Sequence, residues 1–258
     1  MKIEIATPIS HLFKDPQAAN SITAASDCLE CREWAVDRND FPRQELFHID
    51  YNLNLPWNDE VHQFMRKALN KRDLKLATIQ MATCYDAPVI EQGMYRPAGR
   101  RFERAEMIRL ARENVAWMSS IRPDLGIGIE NNNFYPTPAY DYVSDGDFIS
   151  EVVRENGLSF LLDIAHAQVT AHNRGIEYRE YLKTLPLERL IQLHVCQPAI
   201  NAQGMAYDAH GLPNQEMLAE VERLCHTHPV RYITVEYYKN LPGLLRSLQE
   251  VSRLVRNL

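Results

Sequence analysis

The chain has 258 residues, of which 45% are hydrophobic and 24% charged, and its formal net charge is −6. This balance suits a globular protein and excludes a strongly basic nucleic-acid or membrane footprint. No apolar run approaches the ~20 residues needed to cross a bilayer. The opening MKIEIATPIS carries neither the apolar core nor the cleavage site of a signal peptide, so a cytoplasmic location is expected.

In chain order, Ile3–Thr7 reads as a first strand and Asp15–Ala25 as a helix. Cys28–Arg32 and Glu45–Asp50 are predicted as the second and third strands, joined by a stretch too short for a full helix. Pro56–Lys71 carries Val61, Phe64, Met65 and Leu69 at helical spacing, and Leu74–Gln80 follows as the fourth strand. A long loop from Met81 to Arg101 ends in a basic run (Arg96, Arg100, Arg101, Arg104) and leads into a helix over Arg101–Ile121. Leu125–Glu130 and Leu158–Asp163 are the fifth and sixth strands, with a helix over Asp147–Asn156 between them. After a loop, a helix is predicted over Ile176–Leu185, then a seventh strand over Leu190–Val195. A further long loop, a helix over Asn214–His226, an eighth strand over Arg231–Glu236 and a helix over Leu241–Leu258 close the chain.

Near-continuous apolar strands such as IGIE, LSFLLD and RYITVE are the mark of parallel strands buried on both faces. Eight of them alternating with helices, with no break in composition, predict a single (β/α)8 barrel domain over residues 1–258. An open doubly wound sheet is the runner-up, disfavoured because no Gly-rich phosphate loop follows a strand. Five scattered cysteines (Cys28, Cys31, Cys84, Cys196 and Cys225) predict reduced thiols rather than a disulfide framework. Cys28 and Cys31 have CxxC spacing, but in a strand positions i and i+3 face opposite sides, which argues against a zinc knuckle.

In such barrels, functional side chains gather at the C-terminal ends of the strands. There the sequence places His48 on the third, Glu130 on the fifth, Asp163 on the sixth, His194 on the seventh and Glu236 on the eighth. His166 lies just past Asp163, and Asp208 and His210 lie in the loop after the seventh strand. Imidazoles and carboxylates without thiolate suit iron, manganese or zinc, and this many donors exceed what one ion needs, so two or three ions are expected. Cations would also neutralise carboxylates crowded into a dry barrel. Asn131 and Asn173 are candidates to orient ligands or touch substrate. Asp163, His210 and Asn173 are the candidate catalytic residues. A sugar isomerase or epimerase using manganese or magnesium, with a carboxylate as general base, is the alternative reading of the same donors.

The ordered set His48, IEN (129–131), LLDIAH (161–166), HN (172–173), LHV (193–195), DAHG (208–211) and VE (235–236) resembles the multinuclear non-heme iron-dependent oxidative enzymes. That group includes the methanobactin-maturing oxygenase. The resemblance implies a xylose isomerase-like barrel holding two or three iron ions of mixed valence, at least one of them ferrous. It also implies dioxygen as co-substrate, a ribosomally made precursor peptide as substrate and a small partner protein that holds the peptide's leader. Carried over, the ligands would be His48, Glu130, Asp163, His166, His194, Asp208, His210 and Glu236. The histidine that members carry at the end of the fourth strand is replaced by Gln80, within IQMAT, and His11 is a further candidate in an altered first loop.

Overall fold

The computed structural model describes residues 2–256 and Leu258. Eight parallel strands close into a barrel: β1 (Glu4–Pro8), β2 (Cys28–Cys31), β3 (Gln44–Asn52), β4 (Leu76–Gln80), β5 (Gly126–Glu130), β6 (Ser159–Asp163), β7 (Leu190–Val195) and β8 (Tyr232–Val235). Each pairs with its neighbour in sequence, and β8 returns to β1 through Glu4–Tyr232, Ile5–Ile233 and Ala6–Thr234. Closure leaves no open edge. The helices packed around it are α1 (Pro16–Ala25), α2 (Asp59–Leu69), α3 (Arg104–Ile121), α4 (Gly146–Glu155), α5 (Ile164–Arg174), α6 (Tyr178–Thr184), α7 (Gln215–Thr227) and α8 (Leu241–Val255). Among the described residues, no helix is long and apolar enough to cross a membrane.

Two apolar layers follow from the alternation of strand side chains. Outward residues such as Phe47, Ile129, Phe160, Leu193 and Ile233 pack under the helices. Inward residues Ala6, Cys28, Leu46, Leu76 and Tyr232 plug the N-terminal end of the barrel. With that end sealed, further inward positions on the same strands face only the C-terminal mouth. Asparagine side chains set the starts of several helices: Asn58 for α2, Asn214 for α7 and Asn240 for α8 each accept a backbone N–H.

The expected order of strands and helices holds, and the short connection between β2 and β3 forms only a 3-10 turn, Glu33–Ala35. Three expectations need correction. The stretch after Asp163 is not a loop but α5, which starts with no intervening residue because the Asp163 side chain accepts the His166 N–H and caps the first turn. The helix ends at Gly175, whose φ of 65° gives the left-handed stop. Both long loops fold on themselves. The first contains an antiparallel hairpin of Val89–Glu91 with Met94–Arg96, the second one of Gln197–Ile200 with Ala206–Gly211.

Candidate metal centre

The structure brings all eight predicted ligand residues together over the barrel mouth. His48, Glu130, Asp163 and His194 on their strands, and Glu236 one residue past β8, have side chains no more than 4% exposed. Alternation aims them inward in register with the plug beneath. His166 enters from the first turn of α5, and Asp208 and His210 from the second hairpin. Glu130 stands in the middle: one carboxylate oxygen is 3.3 Å from His48 Nε2 and the other 3.0 Å from His194 Nδ1. His166 Nε2 lies 3.7 Å from Asp163 and 3.6 Å from Asp208. His210 contacts Asp208 at 3.2 Å and Glu236 at 3.7 Å. Its φ of 42° is one of few left-handed values outside glycine, the kind of local strain that functional sites retain.

Each of three imidazoles has one nitrogen anchored and the other turned toward the carboxylates. His166 Nδ1 donates to the Asn131 carbonyl at 2.9 Å, which leaves Nε2 for the mouth. His48 Nδ1 is bonded to Thr78 Oγ1 at 2.9 Å, leaving Nε2. His194 Nε2 faces the Glu30 carboxylate at 3.0 Å, leaving Nδ1. Anchoring of this kind fixes tautomer and ring orientation in metal-ligating histidines. Asn131 does not hold a carboxylate, as the sequence suggested, but clamps the Asp163 backbone: its amide accepts from Asp163 N at 2.9 Å and donates to Asp163 O at 3.0 Å.

Sequence reasoning missed Glu30 and Arg32. Glu30 is fully buried, and one of its oxygens meets Gln192 Nε2 at 2.6 Å, Thr234 Oγ1 at 3.1 Å and His194 Nε2. The Arg32 guanidinium reaches both Glu30 and Glu236. The signal was present in LECRE: once Cys28–Arg32 reads as a strand, Glu30 falls on the same inward face as Cys28. The attention drawn by the cysteine pair hid it. Gln80 does occupy the mouth, donating toward Glu130 Oε2 at 3.2 Å and lying 3.2 Å from His48 Nε2.

Other candidates lie elsewhere. Asn173, expected to be catalytic, spends its amide on the backbone, donating to Phe134 O and Ala206 O and accepting from Ala206 N, so it fastens the second hairpin to α5. His172 joins it by bonding to the Gly204 carbonyl, and His11 is exposed in a 3-10 turn. The basic run is occupied by local ion pairs, with Arg96 to Glu91, Arg100 to Glu106, Arg101 to Asp141 and Arg104 to Glu151.

The electrostatics of the mouth are those of charges crowded into a dry space. Burial, reinforced by Glu130, Asp208 and Glu236, pushes Asp163 up to about 7 against the pull of His166. Glu130 and Glu236 go the other way. Burial opposes their ionisation, but His48 and His166 around Glu130, and His194 and Arg32 around Glu236, outweigh it and hold both well below the usual carboxylate range. Burial likewise works against charging His166 and His194, yet the surrounding carboxylates raise both well above the ordinary histidine value. Protons on imidazoles thus do the balancing that a metal cation performs in a loaded site.

Among the buried atoms without a well-aligned hydrogen-bond partner are His194 Nδ1, which has the Glu130 carboxylate 3.0 Å away, and Asp163 Oδ2, and the two face each other at 4.0 Å. Unpaired buried donors and acceptors are costly and uncommon, and a shared cation satisfies both at once. Donor atoms of His48, Glu130 and His194, and of Glu130, Asp163 and His166, also fall within 4.8 Å of one another, distances that suit metal ligation. The residues therefore fit a metal centre, with Glu130 common to both groups. Beside it, Met94, Tyr135, Met205, Tyr207 and Asp208 line a groove of about 350 Å³ between the two hairpins.

A model of the family described as RiPP precursor modification enzyme MbnB/TglH/ChrH matches residues 104–258, more than half of the chain. A UPF0276 protein of Shewanella loihica is 28% identical over 127 residues, covering 49% of this chain and 45% of that protein. One of Caulobacter vibrioides is 34% identical over 87 residues, covering 33% and 30%. The aligned part thus spans less than half the length of these curated relatives. A xylose isomerase domain containing protein from Salmonella typhimurium superposes with a TM-score of 0.62 at 13% identity, over 100% of this chain and 99% of that one. A D-tagatose 3-epimerase-like protein gives 0.64 at 16% identity, over 99% and 98%. At such identities these structures speak for the xylose isomerase-like barrel alone.

Proposed function

The chain belongs to the RiPP precursor modification enzyme family MbnB/TglH/ChrH, and on that premise we propose that it oxidises a residue of a ribosomally made precursor peptide with dioxygen. Two or three non-heme iron ions would be held by His48, Glu130, Asp163, His166, His194, Asp208, His210 and Glu236. The observation that carries this reading is the unpartnered buried Asp163 Oδ2, set among imidazoles that each have one nitrogen anchored and the other turned toward the carboxylates. Bound iron would supply dioxygen activation and Lewis acidity.

The chain's own residues prepare that chemistry. Glu30, Thr78 and the Asn131 carbonyl fix His194, His48 and His166, and Asn131 holds the Asp163 backbone. His210, 35% exposed and tilted against the Tyr238 ring, is the ligand imidazole most open to substrate, since the others of the mouth are no more than 10% exposed. The peptide reaches the centre along the groove between the hairpins, which Asp208 also lines. In this reading a small partner protein holds the leader, and the reaction takes place in the cytoplasm.

The test is metal analysis of protein purified without oxygen, followed by mass spectrometry of a precursor peptide after exposure to air. More than one iron per chain and an iron- and oxygen-dependent change in peptide mass are expected. Manganese or magnesium alone, with no such change, would overturn the oxidative reading in favour of an isomerase or epimerase.

A further inference from the structure

Glu30, His194 and Glu236 form another group whose donor atoms lie within 4.8 Å of one another, and all three are buried. Taken alone it is as good a cation site as those around Glu130. It differs in having a cation already. Arg32 Nη2 lies 2.8 Å from Glu30 Oε1 and bonds to Glu236 Oε1, and the arginine side chain is only 17% exposed. Glu30 Oε1 has the Arg32 charge beside it but no aligned hydrogen bond, while its second oxygen meets Gln192, Thr234 and His194. His194 turns its anchored Nε2 toward Glu30, while its Nδ1 lies 3.0 Å from Glu130 and 3.4 Å from Glu236.

A guanidinium stays protonated at any pH the protein survives, and its planar fork bridges two carboxylates as no single hydrogen-bond donor does. An ion entering this group would have to displace that charge or sit against it. We infer that Arg32 is a built-in cation that fills the Glu30–His194–Glu236 group in place of a metal ion, leaving Glu236 only its Oε2, on the His210 side, for an ion of the mouth. The inference rests on the reading of the mouth as a metal centre. It also gives Arg32 and Glu30 a second effect, positioning His194 through a charge that never leaves.

Equilibrium dialysis of the metal-free full chain against saturating Mn²⁺, with ions counted per chain, separates the alternatives. Arg32→Gln frees both carboxylates and is expected to take up one more ion than the wild type. Glu30→Gln keeps an oxygen for His194 and is expected to take up the wild-type number, because Glu30 holds no ion while Arg32 is present. An unchanged count for Arg32→Gln, or one ion fewer for Glu30→Gln, overturns the inference and leaves the metal centre standing. A wild-type chain that takes up no Mn²⁺, Fe²⁺ or Co²⁺ removes both. Should Arg32→Gln not fold, the Glu30→Gln count decides alone.

Discussion

Asp163 does two jobs with its two oxygens. Oδ1 caps α5 by accepting the His166 N–H at 2.7 Å, while Oδ2 is left bare among carboxylates. In the metal-free protein the second role is a burden on the fold, and removing it should show. Asp163→Asn keeps a capping oxygen and discards the buried charge, so the metal-free variant is expected to be more stable than the wild type by about 1–3 kcal/mol at pH 7.5. The sign follows from linkage: a carboxyl raised to about 7 in the folded state costs nothing below its unfolded value and its full amount above 7. The advantage should therefore grow between about pH 4 and 7, as chemical denaturation across that range will report. The same variant should lose metal. A less stable metal-free Asp163→Asn would mean that the carboxylate is compensated by groups other than those described.

At the scale of elements, the mouth depends on pieces that carry no donor. Asn173 ties α5 to the Phe134 segment and to Ala206, at the start of the hairpin strand that bears Asp208 and His210. Replacing it with alanine leaves the Ala206 N–H and C=O without their partner, so Asn173→Ala should cost about 1–3 kcal/mol in urea unfolding. It should also speed amide hydrogen exchange over Gln197–Gly211 while leaving the strands protected. Equal protection of that hairpin in both proteins would refute the tether. This role was hidden in the sequence because HN beside a predicted loop looks like substrate contact, whereas the bonds that use it come from segments some thirty residues away. The strands were legible because burial on both faces writes itself as continuous apolar runs. The first turn of α5 was not, since its signal is an aspartate that closes one element and opens the next, and either reading alone accounts for it. The hairpins were equally hidden: strands of 3 to 6 residues are too short to establish an alternation.

For the whole molecule, the convergence of donors was readable because strand ends are fixed in space by the barrel, so residues far apart in sequence needed only a strand boundary each to be placed together. For the inner partner, Glu30, that logic gave the inward face but not the contact with His194, which depends on the depth of the plug formed by Ala6, Cys28, Leu46, Leu76 and Tyr232. The barrel also governs its thiols. Burial is the largest cause raising every cysteine: Cys31 to about 11, Cys225 to about 12, and Cys28, Cys84 and Cys196 likewise upward. A raised thiol value means little thiolate at neutral or mildly alkaline pH. Native protein at pH 8 should therefore react slowly with a thiol reagent, and all 5 cysteines should react once denatured. Fast labelling of any one in the folded state would contradict this account.

The two hairpins look alike but are not equally free to change. The first, with Val89 and Ile90 standing 49% and 65% exposed, carries none of the proposed ligands, so drift in its sequence can reshape what enters the groove and leave the ions untouched. The second carries Asp208 and His210 along with the exposed Ile200 and Tyr207. Under the proposed function, a change there would be read twice, by the substrate and by the metal. In the descent of such a barrel, new specificities should arise first on the Val89–Arg96 hairpin, while the Gln197–Gly211 hairpin changes only when the chemistry itself does.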